Sequence, residues 1–185
     1  MATRDRRTVR LATHDYAATA TYFITLVTVA RLCLFGEVVD EKSVLNDLGL
    51  IIEAEWRRTA GIRPEVALDT FTVMPNHMHA LLRVEGPSPS RTAANGLSRR
   101  PRTLGSLVAG FKSVTSSRVS RLIELQPPSV WQRGYHERVV RDDAELRRIR
   151  LYIERNPAAW HEDPENPVNV PIGPIARSRP AEMPS

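Results

Sequence analysis

Residues 66–84 read VALDTFTVMPNHMHALLRV, and this stretch decides the fold. Residues 66–73 and 77–84 are both dense in β-branched and large apolar side chains, which suit a pleated strand. Met74-Pro75-Asn76 between them is a short turn, so the stretch reads as a hairpin. His77 and His79 stand two apart on the second strand. Side chains alternate along a strand, so both imidazoles project from one face, about 7 Å apart, while Met78 points to the other. Two such imidazoles can converge on one cation. The same spacing also arises from two incidental surface histidines, and taken alone it leaves both possibilities open.

Working outward, residues 22–29 (YFITLVTV) form another strand. Residues 41–60 are expected to be helical, because Val44, Leu48, Ile51, Ile52 and Trp56 recur at steps of three and four, and Gly61 would end the helix. Residues 104–122 form an amphipathic helix with Leu104, Leu107, Val108, Phe111 and Val114 on one side. Lys112, serines 113, 116, 117 and 120, and Arg121 lie on another. Residues 130–140 hold a fourth strand. Asp142 or Asp143 caps a last helix, whose apolar stripe is Leu146, Ile149 and Ile153. Asn156-Pro157 stops it, since the residue before a proline disfavours helical geometry. The order strand, helix, strand, strand, helix, strand, helix predicts an α+β, ferredoxin-like antiparallel sheet with helices packed on one side of it. Residues 1–18 read as an N-terminal arm, 19–160 as one domain, and 161–185 as a proline-rich C-terminal tail. Residues 86–102, rich in Pro, Ser, Gly and Arg, read as a mobile basic loop within that domain.

A chain of 185 residues with 42% hydrophobic content suits one packed core with tails. No apolar run approaches the roughly 20 residues of a membrane span, and no signal-type segment precedes residue 16, so a cytoplasmic location with no membrane partner is expected. Cys33 is the one cysteine, which excludes an intrachain disulfide and a multi-thiolate zinc site. Net charge is +5. Residues 91–155 carry 14 Lys or Arg against 6 Asp or Glu, a local excess of +8 that leaves −3 for the remainder. This asymmetry fits a polyanion bound by the second half. Arginine-rich composition alone is the competing explanation. The candidate DNA contacts are Arg91, Arg99, Arg100 and Arg102 in the loop, Lys112, Arg118 and Arg121 on the helix, and Arg133.

Tyr152 and Asn156 are four apart on the last helix and so share a face. A carboxamide oxygen at Asn156 could join the two histidines as a third ligand and carry Tyr152 beside the metal. A free phenol, with a pKa near about 10, is a poor nucleophile at neutral pH. A metal would act chiefly as a Lewis acid on a phosphate. The plainer alternatives are a core tyrosine and a helix-end asparagine. Tyr135 is a rival nucleophile without an amide partner on its face, better suited to packing or base stacking. His136 is a candidate acid/base group, or a surface residue. His14 and His161 fall in the expected arms.

Three segments together resemble a known family: 73–82 (VMPNHMHALL), 130–138 (VWQRGYHER) and 151–157 (LYIERNP). They resemble the REP-associated tyrosine transposases, within the HUH single-tyrosine transposase superfamily, over residues 22–160. The resemblance implies that His77 and His79 bind a divalent ion, magnesium or manganese, with Asn156 as third ligand. It implies that Tyr152 attacks a DNA phosphate, forms a 5′-phosphotyrosine and releases a 3′-hydroxyl. The implied partners are single-stranded DNA and REP-like hairpins in the bacterial nucleoid, met by a monomer or homodimer. A noncatalytic hairpin-binding protein descended from a transposase is the alternative. The joint presence of His77, His79, Tyr152 and Asn156 favours the enzyme. A metal-dependent RNA phosphodiesterase would need a second histidine motif, which the sequence lacks.

Overall fold

The computed structural model describes residues 19–85, 103–123 and 129–169. The expected arm, the 86–102 loop with Arg91, Arg99, Arg100 and Arg102, and the tail from residue 170 lie outside the described residues.

The expected hairpin forms with the bounds read from the sequence, as strands β4 (Val66–Val73) and β5 (His77–Val84). Numbering follows the chain: β1 (Ala20–Val27), β2 (Gly36–Val39), β3 (Lys42–Leu45) and helix α1 (Asp47–Ile62) precede them, and α2 (Leu104–Val119), β6 (His136–Val139) and α3 (Asp143–Arg155) follow. The main sheet is antiparallel with order β4-β5-β1-β6. Setting the small β2-β3 hairpin aside, the fourth strand lies beside the first, the third beyond it and the second outermost. This is the ferredoxin-like arrangement expected from the element order.

Two expectations are corrected. Residues 41–45 are not the first turn of α1. Asp40 and Glu41 take positive φ values of 47° and 61°, a tight turn that reverses the chain and pairs β2 with β3. Val44 therefore belongs to a strand, where its apparent helical spacing is fortuitous. Helix α1 starts only after Asn46, whose side chain accepts from the Gly49 amide at 3.0 Å. Gly49 itself is required there: a Cβ would sit 2.2 Å from the Phe35 carbonyl oxygen.

The helices also do not share one side of the sheet. Tyr22, Ile24 and Leu26 of β1 and Met78, Ala80 and Leu82 of β5 face α1 and α2, forming the main core with Ile52, Trp56, Leu107, Val108 and Phe111. The alternate residues, Phe23 and Leu81, face the other way and meet Leu146, Ile149 and Ile153 of α3. The sheet is thus sandwiched, because α3 has its own apolar stripe and only the second face remains uncovered for it. His77 and His79 project into that second layer.

Candidate metal centre

Two strands and one helix build the site. Across the sheet, Thr25 pairs with His79 on one side and His136 on the other, while Val27 pairs with His77. Both histidines are buried. His77 Nδ1 lies 2.9 Å from Asn76 Oδ1. The Asn76 amide nitrogen already donates to the carbonyls of Arg31 and Glu165, so its oxygen must be the acceptor. His77 therefore carries its proton on Nδ1 and presents a lone pair at Nε2. His79 Nδ1 is held by Thr25 Oγ1 at 2.8 Å, which aims its Nε2 at the same point. The two Nε2 atoms are 3.1 Å apart.

The third group comes from beyond α3. After Asn156 the chain passes through a 3-10 turn (Trp160–Glu162) and folds back, placing the Asp163 carboxylate oxygen 3.8 Å from His77 Nε2. His77, His79 and Asp163 are all buried, with ligand atoms within 4.8 Å of one another. Asn156 is present too, but its amide nitrogen donates to Asp163 Oδ2 at 2.8 Å. Its Oδ1 is buried without a hydrogen-bond partner. An orphaned amide oxygen beside two imidazoles and a carboxylate fits a divalent cation, and this donor set suits manganese better than magnesium.

Burial lowers the pKa of His77, against the opposing pull of Asp163 and Glu165 and of the Asn156 side chain, which would accept a hydrogen bond from the protonated ring. Burial lowers His79 well below the usual histidine value, helped by His77 and His136. Both rings are thus held neutral, as metal ligands must be.

Tyr152 stands at the mouth of this cluster. Its hydroxyl is 3.2 Å from His79 Nε2, and its ring meets those of Phe23 and His79 edge-on. It is 44% exposed, so it is not the core tyrosine of the plainer alternative. Burial, with the charges of Asp163 and Glu165, raises its pKa above the usual phenol value. The rival, Tyr135, packs against the main core on the opposite face of the sheet.

The other expected DNA contacts that are described lie on that opposite side. Lys112 donates to the Gln132 and Gly134 carbonyls, and burial pushes its pKa down to about 8. With Arg133 and the α2 serines it lines an open groove. Arg118 is ion-paired to Glu55 of α1 at 2.8 Å. Arg121 is exposed in the turn after α2.

Asp163 is the residue the sequence did not reveal. It falls in the stretch assigned to the proline-rich tail, and nothing in its spacing from the His-x-His pair marks it.

The fold presents an antiparallel sheet whose two histidines face a helix bearing one tyrosine. A solved REP-associated tyrosine transposase bound to a REP hairpin shares the fold, with a TM-score of 0.54 and 18% identity over 80% of this chain and 72% of that one. No protein-family model matches the chain. An uncharacterized protein of Haemophilus influenzae is 34% identical over 166 residues, covering 85% of this chain and 91% of that protein. This chain belongs to the same family as that protein and has the fold of the REP-associated tyrosine transposases.

Proposed function

We propose that the protein is a metal-dependent single-stranded DNA endonuclease and strand transferase acting on hairpin DNA. The observation that carries this reading is the Tyr152 hydroxyl, partly exposed and 3.2 Å from His79 Nε2, beside the buried His77, His79 and Asp163 cluster. His77, His79 and Asp163 would hold the ion, with Asn156 Oδ1 available as a fourth donor. When bound, the ion supplies Lewis-acid stabilisation of charge on the phosphate and favours the ionised phenol.

The chain's own residues do the rest. Asn76 and Thr25 fix the two imidazoles. Helix α3, seated on the sheet by Ile149 and Ile153, delivers Tyr152 to the phosphate. The tyrosine oxygen bonds to phosphorus as the bond to the 3′ oxygen breaks. The phenol gives up its proton, and the departing strand gains one to end as a 3′-hydroxyl. The product is a 5′-phosphotyrosine that a second 3′-hydroxyl can attack in the reverse sense. Support for a hairpin substrate comes from the structural neighbour, which was solved with a REP hairpin.

Incubation with labelled single-stranded hairpins and manganese should yield a covalent protein–DNA adduct on Tyr152. Tight hairpin binding with no adduct under any divalent ion would overturn the enzymatic reading and leave a noncatalytic hairpin-binding protein.

A further inference from the structure

A cleft of about 300 Å³ opens beside the nucleophile, lined by Arg148, Leu151, Tyr152, Arg155, Asn156 and Ala159. That volume is at the low end for a small-ligand site. It suits one nucleotide unit rather than a duplex. Arg148 precedes Tyr152 by four residues and Arg155 follows it by three, so all three share one face of α3. The arginine Cα atoms are separated by about 10 Å along the axis, with the tyrosine between them.

What sets these arginines apart is their place, on the face of α3 that carries Tyr152 and at the rim of this cleft. Other described arginines are committed, among them Arg31 to Glu165, Arg63 to Glu65, Arg118 to Glu55, Arg138 to Glu145 and Arg150 to Asp69. Among the described residues, no ion pair or side-chain hydrogen bond engages Arg148 or Arg155. Arg148 and Arg155 line a cleft whose surface is almost wholly apolar, with Leu151 and Ala159 beside them, and each guanidinium can reach the cleft from the end of its flexible stem. The combination offers forked donors for phosphate oxygens and an apolar surface for a sugar or base.

We propose that Arg148 and Arg155 clamp the phosphodiesters on either side of the one presented to Tyr152, so that this cleft is the single-strand binding site. The proposal rests on the reading of Tyr152 as nucleophile for its placement, but it makes a separate claim about binding. The basic groove along α2 lies on the far side of the sheet and does not face the phenol. The strand is therefore gripped at the reaction point by α3 itself.

The test is a salt titration of oligodeoxythymidine binding, by fluorescence anisotropy, in the presence of a chelator so that no cutting occurs. Each phosphate contact contributes about 0.7 to the slope of log affinity against log salt. Arg148→Ala with Arg155→Ala should flatten the slope by about 1.4, and the paired lysine variant should keep it. Arg147→Ala, exposed on α3 outside the cleft, should leave the slope unchanged. A wild-type slope in the double alanine variant, or an equal loss in Arg147→Ala, overturns the clamp. Adduct formation by the wild type, scored separately with manganese, distinguishes the two claims. A flattened slope without any adduct upholds the clamp and removes the nucleophile, whereas an adduct with an unchanged slope does the reverse.

Discussion

At Tyr152 two opposing influences meet. Burial and two nearby carboxylates hold the phenol protonated, while the imidazoles beside it are placed where they could hold a cation, whose charge would favour the ionised phenol. Tyr152→Phe removes the oxygen and little else, because the ring keeps its edge contacts with Phe23 and His79. We expect metal binding and DNA affinity close to wild type and complete loss of the adduct; an adduct persisting in Tyr152→Phe, mapped by peptide mass spectrometry, would reassign the nucleophile. Asp163→Asn keeps the shape of the buried side chain but discards its charge. Loss of an outer-shell partner alone costs about 10–100-fold in metal affinity. Loss of a ligand carboxylate should cost at least that in a manganese titration. Unchanged affinity would leave Asn156 as the third ligand, as first expected. The His-x-His spacing and the Tyr152–Asn156 pair could be read from the chain because strand and helix periods dictate which side chains share a face. Asp163 could not, because its place depends on a reversal of the chain after Pro157.

Among the elements, α3 matters most, since it carries Tyr152, Asn156 and both proposed clamp residues. Its stripe seats it on the sheet, and Asp142 caps it by accepting from the Glu145 amide at 2.7 Å. A second tether joins it to the edge strand. Asp69, beside an irregularity in β4, accepts hydrogen bonds from the Arg150 guanidinium, the shortest at 2.6 Å. Those bonds hold the Asp69 carboxyl below its usual range, so the folded state binds its proton less readily than the unfolded chain. The stabilisation is therefore complete above the unfolded value, about pH 4, and is lost as the pH falls through the lower folded value. Asp69→Asn should melt below wild type at neutral pH, with the gap closing as the pH drops below about 4. Melting curves that differ by the same amount at pH 3 and pH 7 would show that the pair contributes nothing through charge. The helix and its cap are evident in the chain. The tether to β4 is not, because it spans 81 residues and depends on α3 crossing the second face of the sheet.

For the molecule as a whole, the segment following α3 acts as a strap. Glu165 pairs with Arg31 at 2.8 Å and its carbonyl accepts from Asn76, the residue that orients His77. Trp160 lies with its ring centroid 5.9 Å from that of His77. A chain ending at Ala159 loses these contacts together with Asp163. It should retain the sheet and both layers, as judged by circular dichroism, while manganese affinity falls at least as far as in Asp163→Asn. Equal affinity in the shortened and full chains would remove the strap from the site.

The four strands of the main sheet, the three helices and the shared face of His77 and His79 follow from local periodicity, which any isolated stretch of chain displays. So does the α+β order, because sequential elements pack beside one another by short connections. Periodicity misled at residues 41–45, where positive φ at Asp40 and Glu41 turned a helix-like spacing into a strand. The side of the sheet taken by α3 and the carboxylate that joins the two histidines were settled only by folding. Each depends on which surfaces remain uncovered and which charges find partners far away in sequence, and those are properties of the packed molecule.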